Sequence, residues 1–290
     1  MSVILITGCS SGFGMVSAAR LAAAGHTVYA TMRNLSKQGE LLGEVDRRGG
    51  MVRILKLDVT DDETIGTVIQ QINKEVGRLE ILINNAGYGI GGFFEDLTEQ
   101  EIREQMETNF FGVQKVIRHA LSLLRKTAAM DLSDGSVKII NISSGQGRSS
   151  TPGLGAYAAS KFALEGFSES LNFELHPFDI RVVLVEPGSY QTKIFSDNIR
   201  IAEKASDPDS PYAAYSRMLE KRFRLLLTSG SEMGNPEDVA KLIEKIVNNP
   251  RPRLRYPIGP RTRLRFFLRA ILPFSWFASL VRKSLFGKGR

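Results

Sequence analysis

The chain has 290 residues, 42% of them apolar and 24% charged, the make-up of an ordinary globular protein long enough to bury a core without staples. A single cysteine, Cys9, excludes an internal disulfide framework and fits a reducing compartment. The formal charge of +7 is uneven: residues 251–290 hold eleven of the 38 basic residues and no acid, leaving 27 basic against 31 acidic elsewhere. A basic tail on a mildly acidic body gives no ground for expecting a nucleic-acid partner. Met1 leads straight into the apolar run Val3–Ile6, and no uncharged apolar stretch reaches eighteen residues. Neither a secretory leader nor a membrane span is expected, and the expected compartment is the cytoplasm.

Short β-branched runs alternate with longer amphipathic ones along the chain. Strands are predicted at Val3–Thr7, Thr27–Thr31, Val52–Leu57, Ile81–Asn84, Val137–Ser143, Arg181–Glu186 and Leu254–Tyr256. Helices are predicted at Gly12–Ala24, Asp62–Val76, Glu99–Lys126, Ala156–Leu175 and Pro236–Val247. Thr60 or Asp61 is placed to cap the second of these. Asn235-Pro236-Glu237-Asp238 offers a cap, a first-turn proline and acids at the positive dipole end. This order implies an α/β fold: a doubly wound parallel sheet of about seven strands with helices on both faces, of the Rossmann type. One domain over residues 1–258 is expected, with 188–234 as a lid or binding loop and 259–290 as a basic amphipathic extension.

Thr7-Gly8-Cys9-Ser10-Ser11-Gly12-Phe13-Gly14 follows the first strand and opens the first helix. Glycines there allow a tight turn and close approach of a pyrophosphate, while the helix N-terminus supplies free N–H groups. The spacing is G-x-x-x-G-x-G, so a plain tight corner is the competing reading. An NAD site usually has an acid at the end of the second strand for the ribose 2′-OH. Here Met32-Arg33-Asn34 stands instead, and the Arg33 guanidinium can pair with a 2′-phosphate. NADP(H) is therefore expected in preference to NAD(H). Cys9 lies in this loop, where a helix N-terminus can depress a thiol, but a packing role is the simpler reading.

Tyr157 and Lys161 are four apart on one helix and so share a face. An ammonium beside a phenol favours the phenolate and brings it toward the working range. Ser144, just beyond the strand Val137–Ser143, can hydrogen-bond an oxygen on which charge develops. With these residues the sequence resembles the short-chain dehydrogenase/reductase family, in its single-domain branch, from Val3 to about Ile258. The motifs are Thr7 to Gly14, Asp58-Val59, Asn84-Asn85-Ala86-Gly87, Asn109 in Asn109-Phe110-Phe111-Gly112, the set Ser144, Tyr157 and Lys161, and Pro187-Gly188-Ser189-Tyr190-Gln191-Thr192. The resemblance implies a proton-handling role for Tyr157, contact of Lys161 with the nicotinamide ribose, substrate positioning by Ser144 and a water relay at Asn109. It implies cofactor contacts from Gly8, Ser10, Ser11, Gly12, Phe13, Gly14, Arg33, Asp58, Val59, Asn85, Ala86, Gly87, Pro187, Gly188 and Thr192, besides Tyr157 and Lys161. Some NADP-type relatives carry a basic residue where Ser11 stands, so the NADP(H) expectation rests on Arg33 and the missing acid.

The segment after Pro187 carries Tyr190, Ile194, Phe195, Tyr212, Tyr215 and Leu219, in keeping with an apolar substrate pocket. The loop and second strand are similar to those of hydroxysteroid and retinol dehydrogenases, which implies a hydrophobic alcohol or ketone. A β-ketoacyl thioester reductase and a non-catalytic dinucleotide sensor are the alternatives; the intact Asn109, Ser144, Tyr157 and Lys161 speak against a sensor. In the tail, Leu264, Phe267, Leu268 and Ile271 share a face, as do Phe277, Leu280 and Val281 beyond Pro273. These faces suit a membrane surface, closure of the pocket or a second subunit. A homodimer or homotetramer through the helices around 99–126 and 156–175 is expected by resemblance. His26, His119 and His176 show no metal-ligand spacing, and no metal is expected.

Overall fold

The computed structural model describes residues 1–130, 135–190, 199–229, 233–259 and 261–286. Its elements run β1 (Val3–Ile6), α1 (Gly12–Ala23), β2 (Thr27–Met32), α2 (Gln38–Arg48), β3 (Val52–Lys56), α3 (Asp62–Glu75), β4 (Ile81–Asn84) and β5 (Gly89–Gly91). There follow α4 (Glu99–Met106), α5 (Gly112–Ala128), β6 (Val137–Ile142), α6 (Gly155–Glu174), β7 (Ile180–Pro187), β8 (Ile199–Ile201) and α7 (Ala213–Ser229). The chain closes with α8 (Pro236–Val247), β9 (Arg255–Ile258), α9 (Thr262–Ile271) and α10 (Phe274–Phe286). Seven parallel strands form the sheet in the order β3-β2-β1-β4-β6-β7-β9.

The period-2 alternation of a strand explains the three layers. In β1, Val3 and Leu5 join Ile65 of α3, Val116 of α5 and Leu164 of α6 in one core, and Ile4 and Ile6 join Leu21 of α1, Leu41 of α2 and Ile243 of α8 in the other. Both faces of the strand are apolar because both are covered. Asp61, rather than Thr60, caps α3 by accepting from Glu63 N and Thr64 N, and Asn235 caps α8 from Glu237 N. Arg20 and Arg48 reach from α1 and α2 to Glu237 of α8, tying that layer together at its edge.

The structure departs from the expected elements in four places. Helix α2 was not expected, because Gly39 and Gly43 lower its propensity and only Leu41 and Val45 mark its buried face. The helix expected over Glu99–Lys126 is broken by a π-helical turn, Glu107–Phe111. The irregular stretch after Gly188 contains α7, and a small parallel pair, β5 with β8, lies outside the main sheet. In the tail, the helices fall where the amphipathic patterns put them, but Phe266 and Phe277 are the buried anchors, whereas Leu264, Phe267 and Ile271 are exposed.

Candidate active site

The sheet order reverses at β1, between β2 and β4, and the glycine-rich loop leaves the sheet there. Thr7 Oγ1 accepts from the backbone N–H groups of Asn85 and Ala86, each at 3.0 Å, and Asn85 Nδ2 donates to the Thr7 and Gly8 carbonyls at 2.9 Å. The loop is thus bolted to the end of β4. Gly8 (φ 72°) and Gly12 (φ 59°) adopt the left-handed region. At Gly14 a Cβ would stand 2.4 Å from Asn85 Nδ2 and from Gly8 O. Helix α1 has no acid in its first turn, so its positive end is left to an anion. Phe13 is buried edge-on against Tyr190, ring centres 5.4 Å apart, beside the half-buried Ser10 and Ser11.

Arg33 extends from the end of β2 with 74% of its side chain exposed, its Nε 3.9 Å from Asp58 Oδ2. Asp58 is itself fixed by Thr60, whose N–H and hydroxyl donate to Oδ1 at 3.0 and 2.8 Å. Val59 is buried against Gly112, where a Cβ would come within 2.8 Å of its Cγ2. Arg33, Asp58 and the glycine loop therefore stand at neighbouring strand ends, as a dinucleotide's adenosine half requires.

Asn109 sits in the π-helical turn and is fully buried. Its Nδ2 donates to Tyr88 O at 2.9 Å and to Ser160 Oγ at 3.2 Å, and its Oδ1 accepts from Tyr88 N at 3.1 Å. A π-turn re-aims a side chain that a regular helix would direct elsewhere. Ser144 caps the short turn Gly145–Gly147, its hydroxyl accepting from Gln146 N at 3.1 Å, and shares the cleft wall with Tyr157. Lys161 Nζ donates to Ile142 O at 2.8 Å and lies 5.9 Å from the Tyr157 ring centre.

Electrostatics correct one expectation. Burial pushes the Tyr157 phenol up, against a smaller downward pull from Ser144, so Lys161 does not bring it below its ordinary value in this structure. The Lys161 ammonium is committed to Ile142 O, and burial lowers the lysine itself to about 8, against the pull of Glu165. Burial also raises the Cys9 thiol to about 12, which favours the packing role.

A cleft joins these parts, lined by Phe13, Asn85, Gly87, Tyr88, Ile142, Ser143, Ser144, Tyr157, Lys161, Pro187 and Gly188. Asn109, behind Gly87, supports the wall: a Cβ on Gly87 would be 3.0 Å from Asn109 Oδ1. Ala86 is held at the base through Thr7. Of the residues expected in the lid, Tyr212 stacks on Phe93 at 4.6 Å and Tyr215 meets the same ring at 6.3 Å. Tyr190, expected in the pocket, is instead buried in the core under α1. Thr192, Ile194 and Phe195 lie outside the described residues.

Two supporting residues escaped the sequence reading. Gln105 is fully buried, accepts from Ile90 N and donates to Tyr88 O, both at 2.8 Å, and Ser160 bridges Asn109 to the Tyr157 carbonyl. Gln105 stands four residues before Asn109, a spacing that signals a shared helix face. A family model for short chain dehydrogenase matches residues 2–201. The chain belongs to the short-chain dehydrogenase family. It is 40% identical over 265 residues to a 3-ketodihydrosphingosine reductase of Bacteroides thetaiotaomicron, covering 91% of this chain and 90% of that one. It is 33% identical over 278 residues to retinol dehydrogenase 8 of Bos taurus, covering 93% and 85%. A short-chain dehydrogenase from Streptomyces avermitilis superposes with a TM-score of 0.77 at 32% identity, over 98% of this chain and 96% of that one. This short-chain dehydrogenase is an oxidoreductase, and its family binds nicotinamide dinucleotides and acts on small molecules.

Proposed function

We propose that residues 1–258 form an NADP(H)-dependent oxidoreductase that interconverts a hydrophobic alcohol and its ketone or aldehyde. The carrying observation is the cleft that runs from Phe13 of the glycine loop to Ser144, Tyr157 and Lys161. The bound dinucleotide supplies or accepts the hydride. Gly8 through Gly14 and the α1 N-terminus would hold its pyrophosphate, Asp58, Val59 and Asn85 to Gly87 would border its adenosine and ribose, and Pro187 and Gly188 would border the nicotinamide end; Thr192, a further contact by resemblance, lies outside the described residues. Arg33 pairs with the 2′-phosphate, being exposed, cationic and preceded by no acid on β2.

Tyr157 Oη gives its proton to the carbonyl oxygen, or takes one from the alcohol. Burial keeps that phenol protonated, the state needed for reduction. Ser144 orients the oxygen, Lys161 holds the ribose, and Asn109 fixes the backbone at Tyr88 beside the proton path. The stacked Phe93 and Tyr212 and the similarity to a 3-ketodihydrosphingosine reductase and a retinol dehydrogenase support an apolar substrate. The experiment is a fluorescence titration with NADPH and NADH, then a screen of long-chain and steroid-like carbonyls. Tighter NADPH binding that weakens in Arg33→Ala, with oxidation on adding an apolar ketone, supports the reading. NADPH binding with turnover only on β-ketoacyl thioesters would replace the substrate class, and binding without any turnover would favour a sensor.

Residues 259–290 support a location at an anionic membrane surface on the cytoplasmic side. Leu264, Phe267 and Ile271 face away from the buried Phe266, and Phe267 and Trp276 are 59% and 65% exposed. Arginines flank them with no acid in residues 251–290. No helix among the described residues is long and apolar enough to cross a membrane, so attachment is peripheral. Co-sedimentation with anionic but not zwitterionic vesicles, lost in Phe267→Ser/Trp276→Ser, supports this. A dimer broken by the same variants, without vesicle binding, would assign the face to a second subunit. A homodimer or homotetramer through α5 and α6 is a separate contact, supported by the exposed Phe111, Phe162 and Phe173 on and beside those helices.

A further inference from the structure

The end of β7 carries a carboxyl group that the proposed chemistry does not use. Glu186 is fully buried and directly precedes Pro187 and Gly188 at the cleft rim. Among the described residues, neither of its oxygens has a hydrogen-bond donor, and Arg148 Nη1 and Arg255 Nε stop 3.6 and 3.7 Å from Oε1. Arg255 Nε gathers a second carboxyl beside it, that of Glu165 on α6, one turn after Lys161 and 5% exposed. Glu165 Oε2 accepts from Arg255 Nε at 3.0 Å, while its Oε1 is also without a donor. Two ionised carboxylates can only accept, and they repel at contact. One proton between them supplies the donor both lack.

We propose that Glu165 and Glu186 share one proton, and that this pair is a positioning device locking the Pro187–Gly188 rim to the helix that carries Tyr157 and Lys161. The turn after Ser144, α6, β7 and β9 converge on it. Gly147 lets the turn after Ser144 press on α6, for a Cβ there would be 2.9 Å from Ser143 Oγ and 3.1 Å from Glu165 Cγ. Arg148 leaves that turn and stacks over Phe266 of α9 at 4.4 Å. Arg255 comes from β9 to Glu165 and Glu169. The charged groups facing the pair are thus Lys161 and Glu169 from α6, Arg148 from the turn and Arg255 from β9. Arg265 of α9 is engaged with Ser149. Burial and the neighbouring Glu165 push Glu186 up to about 7 against both guanidinium groups. The shared proton is therefore held up to neutrality and lost above it, leaving a second buried negative charge beside the rim.

The proposal rests on the cleft being the cofactor site, and the experiment separates the two. Infrared difference spectra between about pH 6 and about pH 9 should show a neutral carboxylic acid carbonyl disappearing in the wild-type protein and absent in Glu186→Gln. NADPH affinity should weaken above about pH 7 by up to tenfold per pH unit, the limit for one linked proton. Glu186→Gln, whose amide donates to Glu165 at every pH, should keep the low-pH affinity throughout. Glu186→Ala should bind weakly at all pH values. No neutral acid band, or a Glu186→Gln profile that tracks the wild type, overturns the proposal. If the protein binds no NADPH, the cofactor reading fails instead. The rim is then read from amide exchange at Gly188, whose N–H is bonded to Ile258 O at 2.8 Å. Protection that falls as the pair deprotonates supports the lock, and protection independent of it refutes it.

Discussion

Replacing Asn109 by alanine should destabilise the fold as well as the chemistry, and the size can be worked from its bonds. The variant leaves the Tyr88 N–H, which donated to Oδ1 at 3.1 Å, without a partner. Tyr88 O keeps Gln105 Nε2 at 2.8 Å, and Ser160 Oγ keeps its own donation to Tyr157 O at 2.7 Å. One orphaned N–H costs about 1–3 kcal/mol and the small cavity about 1 more, so a loss of about 2–4 kcal/mol is expected. At about 2–4 °C per kcal/mol the melting temperature should drop by roughly 5–15 °C. The sharper test is the cycle with Gln105→Ala, measured by urea unfolding. Each single variant leaves Tyr88 O one donor; the double variant removes both. The double loss should exceed the sum of the singles by about 1 kcal/mol. Additivity within about 0.5 kcal/mol would show that Tyr88 O is not the shared element.

Gly92→Ala should displace the lid, because the new Cβ would stand 2.4 Å from the Ala202 Cβ across the β5–β8 seam. About 1–3 kcal/mol of overpacking and a raised KM with little change in kcat are expected from steady-state kinetics; an unchanged KM would detach the seam from substrate binding. Cys9, buried with its thiol raised to about 12, should resist an aromatic disulfide reagent until the protein is unfolded, and rapid reaction of the native form would refute the burial. Glu186, raised from 4.5 to about 7, makes the folded protein hold a proton that the unfolded chain has released. Its stabilising effect is complete below 4.5 and fades as pH rises to about 7, so the difference in melting temperature between wild type and Glu186→Gln should follow that slope. A pH-independent difference would remove the shift.

The sheet was legible because its strands are buried on both faces and read as continuous apolar runs, as in Val3-Ile4-Leu5-Ile6. The placement of the candidate site was legible because its residues fall at strand ends in fixed order: Gly8 after β1, Arg33 after β2, Asn85 after β4, Ser144 after β6, Gly188 after β7. What escaped depends on long-range packing. The π-turn at Asn109 is set by Tyr88 and Ser160, 21 and 51 residues away, and has no local signature. The phenol of Tyr157 responds to burial that no i, i+4 spacing reports. Helix α9 shows the same limit, since its stronger apolar stripe, Leu264, Phe267 and Ile271, is not the side it buries.

The most direct test of the account is Tyr157→Phe, assayed for NADPH oxidation on an apolar ketone and, separately, for NADPH affinity. The phenol touches Ser144 but anchors no other described element, so the variant should fold and bind cofactor nearly as tightly as the wild type. Turnover should be abolished while binding stays within about threefold, under about 1 kcal/mol. Undiminished turnover in that variant would contradict Tyr157 as the proton carrier.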